Sequence, residues 1–73
     1  MNGENPRSGP ARYEIRVRGR LGELMLGAFP DLEAHIDGHE TVLRGVLRDQ
    51  SALHGVLTQI ESLGLELVSV RTL

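Results

Sequence analysis

Polar and apolar positions alternate strictly from Tyr13 to Arg18: Tyr13, Ile15 and Val17 face one way, and Arg12, Glu14, Arg16 and Arg18 the other. A period of two is the mark of a half-buried strand. Gly19 to Gly22 interrupts it. Leu21 to Phe29 then places Leu21, Leu24, Met25, Ala28 and Phe29 at helical spacing, and Pro30 stops the run. A helix of about two turns cannot persist alone and must be held by packing.

Alternation returns at Leu32, Ala34 and Ile36, with Glu33, His35 and Asp37 on the other side. Asp37-Gly38 or Gly38-His39 supplies a tight hairpin turn. The third strand runs from Thr41 to Arg48, with Leu43, Gly45 and Leu47 on one face. A loop with an even number of residues sets these beside Leu32, Ala34 and Ile36, so the hydrophobic parity agrees across the turn.

The strongest periodicity follows. Asp49 is a carboxylate cap for the backbone N–H groups of Ser51 or Ala52. Gln50 to Leu63 carries Leu53, Val56, Leu57, Ile60 and Leu63 as one apolar stripe, with His54, Thr58, Glu61 and Ser62 away from it. The helix is about 21 Å long at its ordinary rise per residue. Gly64 ends it in the left-handed conformation, and Leu65 folds back on the last turn. Leu65 to Val70 is an apolar, partly β-branched strand.

The order β-α-β-β-α-β closes into a four-stranded antiparallel sheet with both helices on one face, the ferredoxin-like α+β arrangement. Strands one and three are expected at the centre, two and four at the edges.

Two features stand outside this plan. Gly55 lies mid-helix, nearly opposite the stripe, where glycine costs roughly 1 kcal/mol against alanine. It is either tolerated drift or a place where another backbone or a ligand comes close. The second is the sheet face away from the helices. Arg16, Arg18, Val42, Arg44 and Val46 make it too apolar for a fully solvated surface and too charged for a core. A partly covered face, such as a homodimer contact, fits that mixture. A solvated face carrying cross-strand Arg–Glu pairs fits it as well.

The chain has 73 residues. Met1 to Ala11, holding two glycines and two prolines without apolar period, reads as a disordered tail before a domain over 12–73. What remains is near the lower size limit for independent folding. With no cysteine, neither disulfides nor thiolate metal sites can staple it, and pairing with a second copy is the ordinary remedy. The net charge of −2 gives no general pull toward nucleic acid or anionic membrane. No apolar run approaches a membrane span. The N-terminal stretch lacks a basic segment followed by an apolar one, so the expectation is a cytoplasmic protein.

Candidate chemistry is sparse. His35 and His39 flank a hairpin turn, a poor setting for a shared metal ion. No motif marks a nucleophile, and Gly19-Arg20-Leu21-Gly22 is a weak phosphate-loop signal. Modules that read RNA on a sheet stack bases on aromatics of the central strands. Here the first strand offers only Tyr13, facing the core. No catalytic residue, metal or cofactor is assigned. Asp49, His54 and Gly55 form the candidate ligand or partner contact.

The segment Asp49-Gln50-Ser51-Ala52-Leu53-His54-Gly55-Val56-Leu57, followed by Leu63-Gly64-Leu65-Glu66-Leu67-Val68-Ser69-Val70, resembles a family of small bacterial proteins. Its members carry D-Q-A-A-L-H-G-L-L and then L-G-L-x-L-x-S-V. That likeness extends to the Tyr13–Gly19 strand and implies a fold without an activity. More loosely, the element order resembles ACT-like regulatory domains. Their Asp-x-Pro-Gly-Leu turn, where the amino-acid effector docks, has no counterpart here.

Three functions remain: a non-catalytic module that self-associates and binds protein, an ACT-like sensor with its site near Asp49, His54 and Gly55, and a small dimeric α/β-barrel enzyme. The first is the leading expectation.

Overall fold

The computed structural model describes residues 9–73. Most of the expected tail lies outside these described residues. Its last member, Ala11, already belongs to the sheet, opposite Leu47.

The elements are β1 (Ala11–Arg18), α1 (Glu23–Leu26), β2 (Glu33–Asp37), β3 (Glu40–Leu47), α2 (Gln50–Ser62) and β4 (Leu67–Thr72). The sheet order is β2-β3-β1-β4, every pairing antiparallel. This is the ferredoxin-like α+β fold, with β1 and β3 central.

The alternation of β1 sends Tyr13, Ile15 and Val17 into the helix side of the sheet, where all three are buried. Ile15, Val17, Leu43, Phe29 and Ile60 form the core, and Leu53, Val56 and Leu57 of α2, with Leu63 at its C-terminal cap, pack around it. The apolar stripe of α2 is therefore the one its sequence spacing marks out.

Both ends of α2 are closed locally. Asp49 Oδ1 accepts the Ala52 N–H at 2.8 Å. At the other end Gly64 takes φ +75°, and the Leu65 N–H reaches the Ile60 carbonyl at 3.1 Å. That bond satisfies a carbonyl the last turn leaves free.

The β2–β3 turn is Gly38-His39, closed by the pair Asp37 and Glu40. Gly38 has φ +63° and His39 is not in the left-handed region, the pattern of a type II′ hairpin turn.

The first helix departs from expectation. It is a single turn, and Leu24 is 98% exposed. Leu26 takes the inward position with Leu21, Ala28 and Phe29. The Ala28 and Phe29 N–H groups bond to Met25 and Leu26, three residues back, so the chain tightens and turns before a second α-helical turn forms.

Candidate functional site

The open sheet face is built around a buried carboxylate. Glu14 is 1% exposed, though it points away from the helices. It stands in register between Arg44 of β3 and Arg71 of β4. Arg44 Nη2 lies 2.9 Å from Oε1, and Arg71 Nη2 lies 3.0 Å from Oε2. Arg16 Nε approaches Oε2 at 3.5 Å. Burial pushes the Glu14 carboxyl upward. The hydrogen bond from Arg44 and the charges of Arg71, Arg44 and Arg16 outweigh it, so the group sits below the ordinary carboxylate range.

Arg16 is occupied in turn by Asp37 at 2.8 Å and Glu40 at 3.2 Å. These bonds hold its guanidinium above its ordinary pKa. Arg18 pairs with Glu66 at the surface. Val42, between His35 and Arg16 in register, is buried, whereas Val46 is exposed. Of the five residues expected to make a sheet-face contact, the three arginines are thus engaged within the chain, and only Val46 presents free apolar surface.

The contact expected from Asp49, His54 and Gly55 is divided in space. Asp49 caps the helix. His54 lines an open cleft of about 410 Å³ between α2 and the start of β4, with Leu57, Thr58, Ile60, Glu61, Leu65 and Leu67. A second depression, about 420 Å³, continues from it through His54 and Leu57 toward Gln50, Ser51 and Leu53. Gly55 lies on the other flank of α2, in a groove of about 340 Å³ facing the Ala28–Leu32 connection. Successive helical residues turn by about 100°, which separates these neighbours. Among the described residues, a Cβ at Gly55 would meet nothing beyond its own helix within 4 Å.

The glycine that does receive a close approach is Gly45. A Cβ there would lie 2.7 Å from the Asp31 carbonyl oxygen and 2.9 Å from Leu32 Cδ2. The connection entering β2 crosses β3 at this point. Thr41 is a second residue that sequence reading passed over. Fully buried, it donates to the Gly19 carbonyl at 2.7 Å and accepts the Leu21 N–H at 3.0 Å. It thereby ties the exit of β1 to β3. Glu14 had one legible signal: a lone acid among Arg12, Arg16 and the facing Arg44.

Tyr13 is buried, with its hydroxyl accepting from Gln50 Nε2 at 3.0 Å. Among the described residues, no group of three or more His, Cys, Asp or Glu side chains converges to hold a metal ion. His35 approaches Glu33. Among the described residues, no helix is long and apolar enough to cross a membrane.

Exposed aliphatic residues are most numerous along β4, with Leu24, Ile36 and Val46 exposed singly on other elements. Leu67, Val68 and Val70 of β4 and the following Leu73 are exposed by 44, 41, 36 and 53%. The helix side of β4 is incompletely covered: Leu67 and Val70 stay partly exposed there, and the His54 cleft opens beside Leu67.

Fold and surfaces together define a small ferredoxin-like α+β domain with a neutralised open face and an apolar edge. The chain belongs to the family described as "Domain of unknown function (DUF8691)", which it matches over residues 12–71. No curated protein and no solved structure matches it.

Proposed function

We propose that this domain is a non-catalytic interaction module that works as a homodimer and binds protein. The observation that carries the proposal is the concentration of exposed Leu67, Val68, Val70 and Leu73 on an edge strand. Long apolar edges invite pairing unless charge, proline or a covering element blunts them. The opposite edge shows the contrast. β2 carries Glu33, His35 and Asp37 beside a single exposed large aliphatic, Ile36. The open face supports the same choice of surface, because Arg16, Arg18, Arg44 and Arg71 already have acidic partners within the chain. Association also answers the small size of the core. A cytoplasmic place of action belongs to the same proposal.

Light scattering of the full chain at tens of micromolar tests it. The expected mass is about twice 8.0 kDa. A monomer persisting at millimolar concentration would sink the proposal.

The α2–β4 cleft favours a second reading, an ACT-like small-molecule sensor. Its volume falls in the range of small-ligand pockets, and its walls are mostly aliphatic, with His54, Thr58 and Glu61 as polar groups. A thermal-shift screen with free amino acids checks this. Stabilisation by one of them that is lost in His54→Ala supports it, and a flat screen removes it.

A further inference from the structure

We infer that a second copy of this chain adds to the sheet through β4, antiparallel to it, with Val70 on the two-fold axis. This rests on the homodimer proposed above and supplies its register.

The backbone directions come first. Leu73 N–H donates to the Arg12 carbonyl at 2.8 Å, and Arg18 N–H to the Glu66 carbonyl at 2.9 Å. On the other side, Gly19 N–H donates to the His39 carbonyl. Even-numbered residues of β1 therefore bond toward β4 and odd-numbered ones toward β3, as antiparallel alternation requires. Their partners Ser69 and Arg71 point their backbone groups inward. Val70 and Thr72 point theirs to the free edge, where no strand pairs among the described residues.

The register follows from what each placement of the axis would set face to face. An axis on Arg71 opposes two arginine side chains at the closest antiparallel spacing, about 4.5 Å between Cα atoms. An axis on Ser69 brings the bulge to the centre of the new ladder, because Val68 is the extra residue where the β1–β4 register shifts. An axis on Val70 avoids both. Ser69 then faces Arg71 of the second copy, and the bulge moves to the end of the ladder. Val70 meets its own copy on the helix side, since it stands opposite the buried Ile15.

Such an axis runs perpendicular to the sheet and keeps both helix layers on one face. The two α2–β4 clefts then face each other across it. A stable interface removes roughly 800 Å² from each partner, more than one short strand supplies. Leu57 and Leu65, which line the cleft with Leu67, extend the contact.

The chain contains no cysteine, so single-cysteine variants report geometry cleanly. We would compare Val70→Cys, Arg71→Cys and Thr72→Cys under mild oxidation, after circular dichroism shows each to be folded, with the parent's mass measured alongside. Paired Val70 positions sit about 5.5 Å apart between Cα atoms, within disulfide range. Thr72 and its copy are four residues out of register, about 13 Å apart along the strands. The expected result is a dimeric parent and cross-linking of Val70→Cys about tenfold faster than the other two. A dimeric parent whose Arg71→Cys or Thr72→Cys variant links as fast as Val70→Cys overturns the register and leaves the homodimer standing. A monomeric parent at millimolar concentration overturns both.

Discussion

β1 separates two unlike halves of the sheet. On its β3 side the fold is more nearly closed, although Ile36 of β2 stays 45% exposed on the helix side. Leu43 is fully buried, the Asp31–Leu32 connection crosses Gly45, and Thr41 binds the exit of β1. On its β4 side the helix layer runs out, and Leu67 and Val70 are partly in solvent although they stand on the helix side. The cause lies in the helices. α1 is a single turn, and α2 packs its buried Ile60 against Ile15, Val17 and Leu43 of the two central strands. One helix does not cover four strands. The loop before β2 covers β3 at Gly45 on one side, and no segment of the described chain does the same over β4 on the other.

Truncation at the two halves should expose this difference most strongly. Leu43→Ala should cost roughly 2–5 kcal/mol, enough to unfold so small a domain. Val70→Ala, melted at a concentration too low for association, should cost about 1 kcal/mol or less. Equal losses in chemical denaturation would mean that β4 is packed as firmly as β3.

Gly45 tests the more closed half at its tightest point. Gly45→Ala should lose roughly 1–3 kcal/mol, because the methyl group displaces the backbone of Asp31 or the side chain of Leu32. A denaturation midpoint at or above the parent's would show that the crossing connection yields freely.

Glu14 joins the halves, holding Arg44 of β3 and Arg71 of β4. Its folded pKa lies below the ordinary glutamate value of about 4.5. Its stabilising effect is therefore present above about that pH and disappears as pH falls through the lower, folded value. Glu14→Gln should melt lower than the parent at neutral pH, with the gap narrowing as the solution is acidified below the ordinary glutamate range. A gap that stays constant from neutrality to strongly acidic pH would contradict the role of the ionised carboxylate.

Gly55 should give the smallest effect and the opposite sign. Its Cβ position is open, so Gly55→Ala should gain roughly 0.5–1 kcal/mol through helix propensity. A loss of association in Gly55→Ala would instead place a partner against that flank of α2.

These two glycines show where the sequence was readable. Gly55 draws attention because glycine is costly inside a helix, a local property. Gly45 matters because a distant connection crosses it, and no local pattern records that. The same division runs through the chain. The alternation of Tyr13–Val17 and the stripe of Leu53, Val56, Leu57, Ile60 and Leu63 carry their burial in their spacing. The phase of α1 did not survive, because one turn is too short for a period to outweigh the turn that follows, and Leu26 displaced Leu24. The burial of Glu14 was hidden because its three arginines come from separate strands. Asp49, His54 and Gly55 are close in sequence, yet the helix distributes them to a cap and two separate grooves.

The more open β4 half is most directly tested by the solution mass of Val70→Arg beside the parent. A guanidinium at the edge would oppose its own copy across the axis. The parent should sediment as a dimer at tens of micromolar, and Val70→Arg as a folded monomer. A parent that stays monomeric at millimolar concentration, or a variant that remains as dimeric as the parent, would contradict it.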